Sequence, residues 1–282
     1  MILNRVVKVR TYYRIFKYLL VDKNNGSSIS ILRSLITEVC KYGDDHTLKY
    51  NCSIFYKRFS NSAKRISKKY LKILNKNTVL KDDDQIQVSK KHYSLSGQDI
   101  FVSSLLRNST ASNYYVEVGA GWPIKINNTY LLESVYKWSG ISIDFDREMS
   151  NNFNETRINK CLFADATKID YLNLFISENL PLELDYLSLD IDPAYQTLLV
   201  LSLIPFETYR FKVITFEHDA YKNGSLIKIA SRLLLRHYGY VNVSKNVIAA
   251  GFGKYEDWWI NPRYISIQDG KSIAKKVRKQ VK

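Results

Sequence analysis

Beyond residue 93 the chain alternates short runs of apolar, β-branched and aromatic residues with longer stretches whose apolar positions recur at helical spacing. Tyr114–Val118 (YYVEV), 140–143 (GISI), 159–163 (NKCLF), 184–189 (LDYLSL), 212–216 (KVITF) and 240–243 (YVNV) read as strands, and 247–250 as a further one. Strands separated by helical stretches predict crossover connections. The expected fold class is therefore α/β, a doubly wound, mainly parallel sheet with flanking helices.

The first 90 residues carry a different pattern. In residues 1–20, Ile2, Val6, Tyr13, Phe16 and Leu20 are spaced among Arg5, Lys8, Arg10, Arg14 and Lys17 as on a basic amphipathic helix. A polar turn at 23–30 (KNNGSSIS) leads to a second helix over 31–42, with Leu32, Leu35, Ile36 and Val39 on one side. Residues 59–74 place Lys64, Arg65, Lys68, Lys69 and Lys72 around Ile66, Tyr70, Leu71 and Ile73. A boundary near residues 81–93 then separates a smaller, helical, basic region (1–90) from a main domain (91–270). A basic tail, 271–282, is expected to fray.

Composition changes this picture in two ways. With 282 residues, 45% of them hydrophobic, the chain is long enough for one full α/β core and a satellite region. The net charge of +15 suggests nucleic acid at first, yet 20 Lys and Arg against 7 Asp and Glu fall within residues 1–91, leaving only +2 for the rest. The basic character belongs to the N-terminal region. Its lysines suit a solvated helix face, an anionic membrane surface bound through residues 1–20, or, less well, RNA phosphates, since no RNA-binding motif accompanies them. Cys40, Cys52 and Cys161 have neither metal nor redox spacing, and an odd count argues against a disulfide framework. No run approaches the roughly 20 apolar residues of a membrane span, and no signal-peptide pattern is present. A cytoplasmic location, peripheral to a membrane if residues 1–20 bind lipid, is the expectation.

The first strand runs directly into Gly119-Ala120-Gly121, as a sharp strand-to-loop turn with a closely approaching ligand requires. The second ends at Asp144, where a carboxylate can accept hydrogen bonds from both ribose hydroxyls. The third delivers Asp165 and Ala166, an acid and its neighbour placed for an adenine amino group. Together they form an ordered nucleotide-cofactor half-site. The second glycine is not followed by x-x-G and no phosphate-binding lysine is present, which disfavours dinucleotides and nucleoside triphosphates. Gln98 and Asp99 lie on a helix that either folds over the cofactor or merely caps and solvates its own first turn.

Four stretches carry a family resemblance: 94–102 (SLSGQDIFV), 115–121 (YVEVGAG), 128–133 (NTYLLE) and 138–141 (WSGI). In residues, order and spacing they resemble the FkbM-type methyltransferases, over about residues 94–260. The resemblance implies a Rossmann-like fold, S-adenosylmethionine as methyl donor, and O-methylation of glycans or glycosylated metabolites. Carried over by position, it implies that Glu117, Gly119, Ala120 and Gly121 hold the methionine end, Asp144 the ribose, Asp165 and Ala166 the adenine, with Gln98 beside them. The chain departs from the family at Trp122-Pro123, in place of a small acidic pair, and at Asp144-Phe145-Asp146, in place of Glu-Pro.

Two further strand ends are rich in ionisable groups: Asp190-Ile191-Asp192-Pro193 and Glu217-His218-Asp219-Ala220-Tyr221. Acids at buried strand ends must be paired, protonated or bound to something. Methyl transfer to a hydroxyl needs a base for the hydroxyl proton, and His218 is the candidate, with Glu217, Asp219 or Asp190 fixing its tautomer. Alternatively Asp190, Glu217 and His218, with Asp192, bind Mg²⁺ or another divalent cation that orients sugar hydroxyls, or the group is a structural salt network. Asp190-Ile191-Asp192 also imitates the D-x-D of metal-dependent glycosyltransferases. Trp258-Trp259 suits core and cap, or stacking on a sugar or adenine, and Trp122 is open to the same stacking. The leading expectation is a sugar-directed O-methyltransferase taking a glycan or glycoconjugate. An RNA-directed methyltransferase and a non-catalytic binding module are the alternatives.

Overall fold

The computed structural model describes residues 92–106, 112–249 and 253–281. The basic region at 1–90, its helices and its membrane or nucleic-acid roles lie outside the described residues. In chain order the elements are α1 (Gln98–Leu106), β1 (Tyr114–Val118), α2 (Tyr130–Ser134), β2 (Ser139–Asp144), α3 (Arg147–Thr156), β3 (Lys160–Phe163) and α4 (Tyr171–Ser177). There follow β4 (Glu183–Leu189), α5 (Ala194–Leu203), β5 (Arg210–Glu217), α6 (Ala220–Asn223), α7 (Leu226–His237), β6 (Val241–Ile248), β7 (Lys254–Ile260) and α8 (Ile267–Gln280).

The strands form one seven-stranded sheet in the order β3-β2-β1-β4-β5-β7-β6. β1, β2, β3, β4 and β5 pair in parallel, whereas β7 runs antiparallel to both β5 and β6. The fold class is thus α/β with a mainly parallel sheet and flanking helices, as the alternation of patterns predicts. β4 and β5 are buried along nearly their whole length, which is why they read as continuous apolar runs rather than alternating ones. The chain steps outward from β1 to β3 and then returns to lay β4 on the other side of β1. This reversal opens a crevice beyond the carboxyl ends of β1 and β4, where open α/β sheets take their ligands.

One large core cluster joins α1 (Ile100, Phe101, Val102), α2 (Leu131, Leu132) and α8 (Ile273, Ala274, Val277) to Tyr115, Tyr186, Val213, Trp258 and Ile260 of the sheet. A smaller cluster of Ala120, Phe153 and Cys161 seats α3 beside the glycine loop.

Three expectations need correction. Residues 247–250 are not a separate strand, because β6 runs unbroken from Val241 to Ile248 through irregular register against β7. Lys254–Ile260 is a strand that the sequence pattern hides, because the polar pair Glu256-Asp257 interrupts its apolar run while both side chains are in fact buried. Residues 271–282 do not form a frayed tail: 267–280 is a helix capped by Ser266, which accepts from Asp269 N, and its buried Ile273, Ala274 and Val277 belong to the main core. Its apolar positions follow the helical period even though its charges dominate the sequence.

Candidate functional site

At the carboxyl edge, the loop leaving β1 is fastened to its neighbour by two hydrogen bonds, from Gly119 N (2.9 Å) and Ala120 N (3.3 Å) to Ile143 O. Gly119 has φ +86°, and a Cβ there would stand 1.7 Å from the carbonyl oxygen of Asp190. Glycine is demanded at this point by the end of β4, not by a ligand. Gly121, at φ +55°, has nothing within 4 Å of where a Cβ would stand, so open space lies before it. Its N–H donates to Asp144 Oδ2 at 2.8 Å, while Asp144 Oδ1 accepts from Asp146 N at 2.8 Å. Two backbone donors therefore fix the carboxylate, each using one lone pair of one oxygen. Asp146, not Asp144, caps α3, accepting from Glu148 N and Met149 N. Ala120 is buried against Phe153 and Cys161.

Glu117 does not face this space. Its side chain is turned into the protein, where Oε2 accepts from Ser142 Oγ (2.8 Å), Thr129 Oγ1 (2.9 Å) and Asn127 Nδ2 (3.4 Å). Next to it lies buried Arg157, whose Nη2 pairs with Glu133 Oε2 at 2.7 Å and whose Nη1 donates to Pro123 O (2.9 Å) and Asn127 Oδ1 (3.2 Å). Burial pushes Glu117 up to about 7 despite the Arg157 charge. In Glu133 the burial effect is outweighed by Arg157 and the carboxyl is held below its ordinary value. Arg157 thus ties the loop after the glycines, through Pro123 and Asn127, to the underside of the sheet. Direct contact of Glu117 with a methionine moiety is replaced by this supporting role. Nothing in the sequence singled out Arg157, because its partners are spread over forty-two residues of chain between Tyr115 and Arg157 itself.

Asp165 is also engaged elsewhere. It caps a short 3₁₀ turn, Ala166–Lys168, with Oδ1 accepting from Thr167 N (3.0 Å) and Thr167 Oγ1 (2.6 Å), and its Oδ2 pairs with Lys168 at 2.6 Å. These bonds outweigh partial burial and hold its carboxyl below the usual range. Ala166 is buried and its carbonyl accepts from Tyr171 O–H. Gln98 and Asp99 are both buried, and their side chains bond within the protein. Gln98 Nε2 donates to Tyr255 O–H (3.0 Å) and Glu256 Oε2 (2.6 Å), locking α1 to β7. Asp99 gathers Tyr93 N, Ile100 N and the Ser94 hydroxyl.

Across the switch point the acids lie together. Asp190 and Glu217 share a hydrogen bond, and Glu217 also meets Asp219. Burial, then the Asp190 charge, push Glu217 up to about 12, and burial raises Asp190 despite the bond from Glu217. Glu217 is therefore the protonated member and donates to Asp190. Glu256, opposite Glu217 in the β5–β7 register, is pushed up to about 8 by burial and by Asp190. Asp219 sits in left-handed conformation at φ +46°, with Oδ2 held by Lys222 Nζ at 2.9 Å. Exposed Asp192 lies 3.9 Å from the same ammonium. No sequence spacing pointed to Glu256 or Lys222.

His218 is not brought to this group as a base. It is fully buried, its Nδ1 accepts from Ala220 N at 3.2 Å, and its Nε2, which then carries the hydrogen, faces Asp257 Oδ1 in a long 3.5 Å contact. Asp257 is in turn gripped by Arg232 at 2.6 Å and 2.8 Å. Burial alone would raise its pKa, but Arg232 and His218 more than offset this and bring it down to about 2. With both ring nitrogens turned inward, Asp190, Glu217 and His218 do not converge. Among the described residues no three His, Cys, Asp or Glu side chains are arranged to hold a metal ion. The D-x-D pair is likewise split, Asp190 toward Glu217 and Asp192 toward solvent and Lys222. Trp258 and Trp259 are completely buried and stack on nothing outside the protein, whereas Trp122 is 54% exposed.

No family model matches the chain, and no curated protein matches it. Among solved structures it is similar to a chain described as "delta-N METTL16 MTase domain", at 13% identity and a TM-score of 0.31, over 57% of this chain and 77% of that one. A likeness this distant carries no residue correspondences. None of these comparisons shows the FkbM-type family. No helix among the described residues is long and apolar enough to cross a membrane.

Proposed function

We propose that the protein is an S-adenosylmethionine-dependent O-methyltransferase acting on a sugar hydroxyl of a glycan or glycoconjugate. The observation that carries this is the juxtaposition, at one switch point, of an open glycine turn braced on Asp144 with a carboxyl–carboxylate pair, Asp190 and Glu217. The residues fit the cofactor. Open space lies where a Cβ at Gly121 would stand, and each Asp144 oxygen keeps a lone pair for a ribose hydroxyl. S-adenosylmethionine supplies an electrophilic methyl group when bound. Gly121 and Asp144 would hold the nucleoside side, and Arg157 holds the loop that carries Gly121.

Asp190 replaces His218 as the base. Glu217 keeps its proton and donates it in a hydrogen bond to Asp190, and burial raises the basicity of the Asp190 carboxylate. Asp190 would accept the proton of the acceptor hydroxyl as the methyl group moved from the donor sulfur, which leaves as a neutral thioether, to the hydroxyl oxygen. The resulting neutral pair suits a site already short of compensating cations.

Calorimetric titration with S-adenosylhomocysteine tests the cofactor half, and transfer of labelled methyl groups to extracted surface glycans tests the acceptor half. Asp144→Ala should weaken binding about tenfold or more. Asp190→Asn should leave binding intact and lower turnover about 10²–10⁴-fold. Absence of binding at millimolar ligand sinks the cofactor assignment, full turnover in Asp190→Asn sinks the base, and labelling of RNA in place of glycan sinks the acceptor. Turnover is expected to survive EDTA.

A further inference from the structure

Five aromatic side chains are exposed among the described residues, from 39% for Tyr221 to 72% for Phe145, the others being Trp122, Phe163 and Tyr195. Their distribution is not random. Each belongs to a different parallel strand, lying at its carboxyl end or within six residues beyond it, Trp122 after β1, Phe145 after β2, Phe163 closing β3, Tyr195 after β4 and Tyr221 after β5. Exposed aromatics scattered by chance would not keep to one edge of a sheet, and a patch of this kind marks a contact surface. Phe145 and Phe163 approach each other (6.5 Å between centroids) with Arg147 over the latter at 4.4 Å, on the side of Asp144. Tyr195 and Tyr221 lie on the other side, flanking the acids. Their loops touch, since Asp192, three residues before Tyr195, meets Lys222, the residue after Tyr221, at 3.9 Å. Tyr221 is closely seated: a Cβ at Gly253 would fall 2.3 Å from its own Cβ.

We propose that Tyr195 and Tyr221, with Trp122 at the flank, form a stacking surface for an uncharged oligosaccharide, more than one sugar ring of which lies along the edge from β1 to β5. The proposal rests on the methyltransferase assignment of the same site and adds the charge and extent of its acceptor. Aromatic faces take the apolar face of a sugar ring, while the adjacent acids accept hydrogen bonds from its hydroxyls. Charge selects among ligands. Among the described residues Asp190, Asp192 and Asp219 face the ammonium of Lys222, with Glu217 protonated, so this group is net negative and disfavours phosphate backbones and acidic or sulfated glycans. Neighbouring strands stand about 4.8 Å apart, so three of them span more than one ring.

Trp122 provides the signal, because the other three tryptophans, Trp138, Trp258 and Trp259, are buried. The full chain is titrated with neutral maltotetraose, cellotetraose and chitotetraose, with a heparin tetrasaccharide and with poly(U), while S-adenosylhomocysteine binding is followed in parallel. At least one neutral tetrasaccharide should change Trp122 emission, with its monosaccharide weaker by about tenfold. Tyr195→Ala and Tyr221→Ala should each weaken the response about tenfold and leave the S-adenosylhomocysteine heat unchanged, which also certifies their folding. A response undiminished in the Tyr195→Ala/Tyr221→Ala double variant overturns the proposal. So does a preference for heparin or poly(U), or no response to any neutral chain in protein that binds S-adenosylhomocysteine. Oligosaccharide binding without S-adenosylhomocysteine binding keeps the surface and removes the methyltransferase assignment instead.

Discussion

The two halves of the sheet handle buried charge in opposite ways. On the side of β1 and β2, every buried carboxylate has donors: Glu117 takes three side-chain hydrogen bonds, and Glu133 takes Arg157, Asn159 and a backbone N–H. On the side of β4 and β5, Asp190, Glu217 and Asp219 crowd one another, with one lysine at the solvent margin. Complete networks hold a shape, whereas a carboxylate beside a carboxyl kept from ionising holds a chemical potential that a reaction can use. On the proposed function the first half serves as a seat and the second as a reactive group. A polar deletion should therefore have opposite signs in the two.

The largest effect is expected where the halves meet. Gly119→Ala places a methyl group on the Asp190 carbonyl, so one of the two strands must move, and a loss of more than about 4 kcal/mol in urea unfolding, or failure to fold, is expected. A loss under about 1 kcal/mol would show that the junction yields. Arg157→Met comes next. It leaves Glu133 and Glu117 without their cation and should destabilise the domain by about 3–5 kcal/mol. An unchanged midpoint would remove the contrast between the halves.

Glu217→Gln should act the other way. Because the folded pKa of Glu217 lies above its unfolded value, its contribution to stability is fully present below about 4.5 and is progressively lost as pH rises toward about 12. Between pH 5 and 9 the wild-type melting temperature should fall more steeply than that of the glutamine variant, which should match or exceed it at pH 8. Parallel curves would show that Glu217 ionises freely. The smallest change in stability is expected from Gly121→Ala, about 1–2 kcal/mol for the left-handed backbone alone, since nothing stands in the way of its methyl. Its effect should instead be read in weaker S-adenosylhomocysteine binding by calorimetry, and binding equal to wild type would mean that the open space is not the cofactor's.

The central parallel strands β1, β4 and β5 were legible because they are buried along nearly their whole length. β1 was delimited to the residue as Tyr114–Val118, and β2, β3, β4 and β5 to within two residues at either end. β7 was not legible, since an interior Glu256-Asp257 is tolerated only through partners far along the chain, Gln98 and Arg232. The positions of the site's acids at strand ends could be read in the same way, and their roles could not. Asp190 and Glu217 were placed at neighbouring strand ends by pattern alone. Which of them ionises depends on burial and on each other, and whether His218 faces outward depends on β7. Asp165 shows the same limit: the pattern put an acid at the third strand's end, but its use as a cap is decided by Thr167 and Lys168 beside it.

The Gly119 contact bears on how well the two halves stay aligned. The loop that braces Asp144 and the carbonyl of Asp190 are in mutual backbone contact, reinforced by Asp190 N donating to Val118 O at 3.0 Å. The glycine loop and the acid-bearing end of β4 therefore share a single mechanical joint, with no flexible side chain between them. Loops on either side can lengthen, shorten or exchange their aromatic residues without altering that joint. On the proposed function, the chemistry would turn on a fixed pivot while the choice of acceptor drifts at the rim.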